Sequence, residues 1–419
     1  MRRRGDRFRL SGPLVTVVGV SALVAACTGG SGSEPSATVA TTTTEVTPPR
    51  VDDGVLTIGA LIPSGDTRVD TALRTSFETA IDIINGAGGV LGNDVEYLII
   101  DEGQSAASGS QAIEDLIEAD VDAIMGPASS NTALGALDVA VSNGIVSCSP
   151  TATAIALDGF PDDGLFFRSI ATDSLQATAI AREAQATGAG SVAIVHVDDA
   201  YGRPYAEAVA DALGDDIAVE TIAIPVDDDD LTDELDLLVD VDPQVVVSVG
   251  SGQDTASWLQ AMGERDDLSV PAIIVNDAAR RAASRPVIAE LPSKIRNRVL
   301  VVAPQIVLRD SAVPEDDVSF GPQVTDCVNL IALSAIQGDS DSPALIAGQM
   351  SSVSDGGPVC RDFASCALRL IDNQEIDYDG PTGITDLGRN GDPSRAFFDL
   401  FRFAADGSDI FERSTAVQA

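Results

Sequence analysis

Ser129-Ser130-Asn131 follows a short apolar run and opens a helical stretch, which leaves serine hydroxyls and free N–H groups at a helix start. Such a turn can receive an anionic group such as a carboxylate, and it can equally be a plain helix cap. Ser149-Pro150-Thr151-Ala152-Thr153 is a turn stiffened by the fixed φ of Pro150, and Asn276-Asp277 reads as a turn or cap pair. Groups able to move protons or attack a substrate are few. The chain has one histidine, His196, and one lysine, Lys294, with no nucleophile elbow. No enzyme, metal centre or other cofactor is expected, and His196 and Trp258 read as core or strand-end residues.

The five cysteines divide into two groups. Cys27 follows Leu23-Val24-Ala25-Ala26, a segment that resembles the bacterial lipobox, in which the cysteine is acylated and becomes the mature N-terminus. Ahead of it stand five arginines within nine residues and an apolar stretch from Leu14 to Ala26, the pattern of a secretory signal and too short for a comfortable membrane span. Residues 1–26 are therefore expected to be a lipoprotein signal peptide and 27–52 a Ser/Thr/Gly/Pro-rich tether. More than one acyl chain holds such a chain stably, on the extracytoplasmic face of the membrane. The other four cysteines, Cys148, Cys327, Cys360 and Cys366, are an even set in an exported chain and are expected in disulfides. Cys360 and Cys366 are close enough, before an apolar helix, to close locally.

Removing residues 1–26 takes away five Arg and one Asp, so the mature chain keeps 20 basic and 64 acidic residues and a net charge of −44. That balance excludes nucleic-acid binding. Runs such as Asp227-Asp228-Asp229-Asp230 fit a solvated acidic surface.

The elements that must position these residues alternate. Strands are expected at Val55–Ile62, Val95–Ile100, Ala123–Met125, Val146–Cys148, Val192–Val197, Ile217–Ile224, Val245–Val249, Ala272–Val275 and Val299–Val302, with Ala396–Phe403 closing the chain. Amphipathic helices intervene, near 105–118, 130–143, 174–187, 203–213, 231–239 and 253–262, with later ones near 323–337, 344–353 and 361–372. This is an α/β pattern of doubly wound parallel sheets, and its length calls for two domains. The first passage between them falls in the irregular stretch Thr151–Arg168.

Segments spread from about 55 to 407 carry a resemblance. They are Ile58–Gly65 (IGALIPSG), Ala80–Gly92 (AIDIINGAGGVLG), Met125–Ser130 (MGPASS), Ser149–Thr153 (SPTAT), His196–Gly202 (HVDDAYG) and Tyr378–Gly383 (YDGPTG). In order and spacing the chain resembles the type I periplasmic binding proteins, specifically the branched-chain amino-acid-binding receptors of ABC transporters. The resemblance implies two lobes closing on a ligand, joined by three hinge crossings near Ile170–Asp173, Ala303–Gln305 and Thr385–Asp392. The first lobe would be 53–172 with 304–388, the second 173–303 with 389–412, and 413–419 a tail. It also implies roles: Ser130 donating its hydroxyl to a ligand carboxylate, Thr151 and Thr153 completing the contacts on that side, Tyr201 covering the ligand and Asp277 meeting its ammonium. By the same layout the helix with Cys327 returns to the first lobe, where Cys148 ends a strand. With Cys360 and Cys366 paired, these two are left to each other. The implied partners are an amino acid or analogue and an ABC permease, with the chain a monomer anchored to the membrane. A ligand sensor signalling to a membrane receptor is the alternative.

The chain departs from the family in the side-chain pocket. Ser251-Gly252-Gln253 stands where an aromatic is usual, and Ser64–Val69 lacks a second glycine and any aromatic. A polar or bulky ligand side chain is implied in place of a branched aliphatic one.

Overall fold

Near-continuous runs of Val, Ile and Ala with no polar alternation can be satisfied only inside a sheet covered on both faces, and the chain folds accordingly. The computed structural model describes residues 52–64, 68–226, 230–268, 272–280, 284–306, 320–383 and 386–418. The signal segment, Cys27, all of the tether but Asp52, Asp227 to Asp229 and Thr385 lie outside them.

Five strands, β1 (Thr57–Ile62), β2 (Glu96–Asp101), β3 (Ala123–Met125), β4 (Val146–Ser149) and β5 (Phe166–Arg168), form a parallel sheet in the order β2-β1-β3-β4-β5. Helices α1 (Arg68–Gly86), α2 (Ala106–Glu118) and α3 (Ser130–Ser142) connect them. The second sheet has the order β14-β13-β10-β9-β8-β6-β7. Its parallel part is β6 (Ser191–Val197), β7 (Ala218–Ile224), β8 (Val245–Val249), β9 (Ala272–Asn276) and β10 (Val299–Pro304). Strand β13 (Arg395–Phe403) runs antiparallel to β10, and β14 (Asp409–Gln418) antiparallel to β13. A short parallel ribbon joins β11 (Val359–Cys360) to β12 (Asp377–Tyr378).

Helices α4 (Asp173–Ala186), α5 (Gly202–Leu213), α6 (Thr232–Val241), α7 (Gly252–Glu264), α8 (Arg285–Glu290) and α9 (Ser293–Arg296) belong to the second sheet's half of the chain. Three more, α10 (Gly321–Gly338), α11 (Pro343–Val353) and α12 (Phe363–Ile371), return to the first sheet, where Val324, Cys327 and Leu330 share a buried cluster with Ile58, Phe77 and Met125. The opposite face of that sheet packs Leu116 and Ala136 against Leu61 and Ile124. The second sheet is likewise covered twice, by Trp258 and Leu259 on one face and by Ile180, Tyr205 and Val209 on the other. Trp258 is fully buried, as its apolar setting in the sequence implies.

The chain thus crosses from sheet to sheet three times, after β5, after β10 and before β13. At the third crossing Gly391, at φ +78°, lies against β5, and a Cβ there would come within 2.0 Å of the Phe166 carbonyl oxygen. The Arg168 N–H donates to the Gly391 carbonyl at 2.9 Å, so the third crossing is stitched to the first.

Two readings of the sequence need correction. The stretch Thr151–Arg168 holds a 3-10 turn at Ile155–Leu157 and ends in β5, which completes the first sheet, so the passage begins only after it. Residues 413–418 are not a tail: they pair with Arg395–Leu400 as the outer half of β14. Both strands escape notice for physical reasons. Phe166-Phe167-Arg168 ends in a charged residue and lacks the uniformly apolar contrast that marks the equally short β3, and β14 is an edge strand exposed along most of its length, with few buried side chains to mark it.

Both remaining cysteine expectations agree with the structure. Cys148 on β4 is bonded to Cys327 on α10, Cα–Cα 5.6 Å, and Cys360 to Cys366, Cα–Cα 5.5 Å.

Candidate functional site

In the first sheet the chain reverses its direction of travel between β1 and β3, and in the second between β6 and β8. Crevices for ligands open beyond the carboxyl ends of the strands at such switch points. The loops found there carry Ser64 after β1, Ser130 after β3, Tyr201 after β6 and Ser251 after β8.

Ser129 caps α3, accepting the Thr132 N–H at 3.5 Å, and Ser130 is the first helical residue, half-buried. The turn before it is held from beneath. Glu102, fully buried at the end of β2, accepts the N–H of Ala128 at 2.7 Å and of Ser129 at 3.0 Å. Burial pushes the Glu102 carboxyl up to about 7, opposed by those two N–H groups and helped by the nearby charges of Asp101 and Asp70. The second loop is laced onto the first. Ser149 donates to the Pro127 carbonyl, Thr151 donates to the Ala128 carbonyl at 2.6 Å, and the Ala154 N–H reaches the Ser130 hydroxyl at 3.3 Å. The Thr151 hydroxyl is therefore engaged within the fold.

Thr153 faces the other way. Its side chain hydrogen-bonds Asp173, the first residue of α4, and its carbonyl accepts the Asp173 N–H at 3.0 Å. Asp173 is 3 % exposed and its Oδ2 has no hydrogen-bond partner. Burial raises its carboxyl to about 7, the Asp277 charge adds to the rise, and the Thr153 bond and Arg168 oppose it. Asp277, half-buried at the end of β9, accepts Gln176 Nε2 at 2.8 Å, and the same amide donates to the Val302 carbonyl. Tyr201 stacks edge-on against Tyr205, ring centroids 5.8 Å apart, and packs against the first-lobe cluster that holds Ala152, Leu157 and Phe166. The Tyr205 hydroxyl is fully buried without a partner; burial, then the charge of Asp173, hold its pKa well above the usual tyrosine value.

Thr153, Asp173, Asp277, Tyr201 and Tyr205 are thus brought to one place, where the two lobes meet. Ser130 stands one turn away, joined through Ala154. Ser251 caps α7 and is exposed, its hydroxyl bonded to Asp254. His196 is buried in β6, its Nδ1 against the Val197 carbonyl at 2.8 Å. Asp173, Glu102 and Tyr205 escaped the sequence reading, because nothing in a sequence marks a carboxylate as buried. The one available signal was Thr172-Asp173, a cap pair at a crossing.

Among the described residues, the carboxylates close enough to share a metal ion are Asp377, Asp379 and Asp386, within 4.8 Å of one another. Arg395 already lies 3.7 Å from Asp386. They stand on and just after the β11–β12 ribbon, where the hydroxyls of Tyr378 and of Thr382 in the following turn donate to fully buried Asp326.

The chain has recognisable relatives among known proteins. The family described as periplasmic binding protein matches residues 56–276. The chemotactic signal transduction system substrate-binding protein BasB of Halobacterium salinarum is 27% identical over 355 residues, covering 79% of this chain and 83% of its own length. The branched-chain amino acid transporter substrate-binding protein LivJ of Streptococcus pneumoniae, solved with isoleucine, superposes with a TM-score of 0.63 at 17% identity, covering 87% of this chain and all of that one. A solute-binding protein of an ABC transporter from R. palustris, solved with benzoate, superposes with a TM-score of 0.62 at 16% identity, covering 87% of this chain and 98% of that one. At such identities the two structures establish a shared fold.

Proposed function

The chain belongs to the periplasmic binding protein family, and from that premise we propose that it captures an amino acid or close analogue by lobe closure and delivers it to an ABC permease. It is a binding protein and not an enzyme. The observation that carries the ligand class is the unpartnered Oδ2 of buried Asp173 beside Asp277, an acceptor pair that an ammonium group would satisfy.

In this reading the Ser130 hydroxyl and the first N–H groups of α3, with the Thr151–Thr153 backbone, take the ligand carboxylate. Thr153, Asp173 and Asp277 take the ammonium, Tyr201 covers the ligand, and Ser251 borders its side chain. The lobes are 53–172 with 304–388, and 173–303 with 389 onward. Binding in the crevice favours closure, because only the closed form brings both lobes to the ligand.

Calorimetric titration of the full chain against amino acids, sugars and aromatic acids tests it. An amino acid is expected to bind, and Asp277→Ala to weaken it by roughly 2–5 kcal/mol, about 30- to several-thousand-fold, through the buried charge left unpaired. Equal affinity in the two proteins, or binding of neutral sugars alone, would remove the amino-acid assignment.

We place the mature protein as a monomer on the extracytoplasmic face of the membrane, held through Cys27. Cys27→Ser is expected to move it to the soluble fraction; retention at the processed size would refute the anchor. BasB, the substrate-binding protein of a chemotactic signal transduction system, favours a second reading, ligand sensing. Deleting the protein abolishes uptake of labelled ligand if it serves transport, and leaves uptake intact while removing the response if it serves sensing.

A further inference from the structure

Carboxylates gather where the two lobes meet. Asp173 and Asp277 stand there buried or half-buried, Glu102 lies beneath the neighbouring Ala128–Ser129 turn, and several nearby donors are already engaged. The Ala128 and Ser129 N–H groups go to Glu102, the Thr151 hydroxyl to a carbonyl, and the Gln176 amide to Asp277 and Val302. Arg168 brings one positive charge within reach of Asp173, but it is bonded to both Asp158 and Asp392. Two buried groups, Asp173 Oδ2 and the Tyr205 hydroxyl, still lack a partner.

A zwitterion leaves this imbalance in place. Its ammonium meets Asp173 and Asp277, while its carboxylate approaches Glu102, which already fills part of the anion-binding turn. In a closed, water-poor cleft an uncompensated charge is costly, so compensation must come from the ligand or from protons. The side-chain end gives the same indication. After β1, Ser64 donates to Asp101, and after β8, Ser251 donates to Asp254, so both switch-point loops present carboxylates.

We propose that the ligand carries a net positive charge, with a second ammonium or guanidinium group beyond the α-ammonium, as in a basic amino acid. The proposal rests on the amino-acid reading above and narrows it. A diamine shares the chemistry and differs only in lacking the carboxylate.

Proton linkage supplies a signature that a merely acidic surface would not. Glu102 and Asp173, each raised to about 7 chiefly by burial, are partly protonated near neutral pH. The charged groups acting on Glu102 are Asp101 on its own strand and Asp70 on α1; those acting on Asp173 are Asp277, Arg168 and Asp158. A cation entering beside them favours their ionised forms, so its binding releases protons and weakens as pH falls.

The full chain in detergent, titrated calorimetrically at pH 8 and pH 6 with L-lysine, L-arginine, 1,5-diaminopentane and L-leucine, in two buffers of different ionisation enthalpy, tests this. Lysine or arginine is expected to bind at least about tenfold more tightly than leucine at pH 8, with proton release, and several-fold more weakly at pH 6. Asp173→Asn is expected to reduce both the proton release and the preference over leucine, and Glu102→Gln the proton release. Diaminopentane binding as tightly as lysine assigns the diamine; binding of lysine alone assigns the basic amino acid. Leucine binding as tightly as lysine or arginine, or affinity unchanged between the two pH values, overturns the proposal and leaves the amino-acid reading standing. If none of the four binds, both fall.

Discussion

Arg168 ties three parts of the site together with one buried side chain. Its Nη1 reaches the carbonyls of Ala154 at 3.2 Å and Ala152 at 3.4 Å, on either side of Thr153. Its Nη2 meets Asp158, which also takes the Ser174 hydroxyl at the start of α4, and its Nε meets Asp392 of the third crossing at 2.6 Å. Replacing one partner of such a network strands the others, so Arg168→Met is expected to cost about 3–5 kcal/mol, read as a drop in the urea midpoint. Asp158→Asn is expected to cost less, since the Asp158 side chain is 26 % exposed and water can replace the bond. Equal and small losses would mean that the loop is held without the charge. None of this network was legible in the sequence. Ser130 and Asp277 could be picked out by type and place, but burial and partners, as for Thr151 bonded 23 residues back, are tertiary facts.

The elements were far more legible than their contacts. Strands β3 and β8 fall at the expected bounds, because Ala123–Met125 and Val245–Val249 are apolar runs between turns. Strands β5 and β14 lacked that contrast. Element-level order also predicts unequal worth for the two disulfides. Cys148 and Cys327 close a separation of 179 residues, and Cys360 and Cys366 one of 6. On the chain-entropy view the long loop constrains the unfolded chain by roughly 5 kcal/mol and the short one by roughly 2. The double variant Cys148→Ala/Cys327→Ala is therefore expected to lose more stability in urea than Cys360→Ala/Cys366→Ala. The reverse order would show that native packing, and not the unfolded chain, sets the difference.

At the scale of the whole molecule, acidity shapes stability as well as surface. The chain's net charge of −40 repels itself, and part of the acid is inside. Asp326 is fully buried among the Tyr378 and Thr382 hydroxyls, and burial lifts it to about 7, as it does Glu102 and Asp173. A carboxyl whose folded value lies above its unfolded value binds more protons when folded. Its contribution is fully present below the unfolded value, near 4, and is lost as pH rises through about 7. The exposed carboxylates held low act oppositely but in another window: Asp267, at about 2 beside Arg265, loses its contribution only well below pH 4. Between pH 5.5 and 8 the buried group therefore sets the sign. The protein is expected to melt at a higher temperature at pH 5.5 than at pH 8, by on the order of a few kcal/mol of stability. Asp326→Asn keeps the side chain's shape without the titration, so its melting temperature should depend less steeply on pH than the wild type's. Scanning calorimetry across that range decides the matter: a melting temperature that is flat, or that climbs with pH, would mean these carboxyls ionise freely in the folded protein.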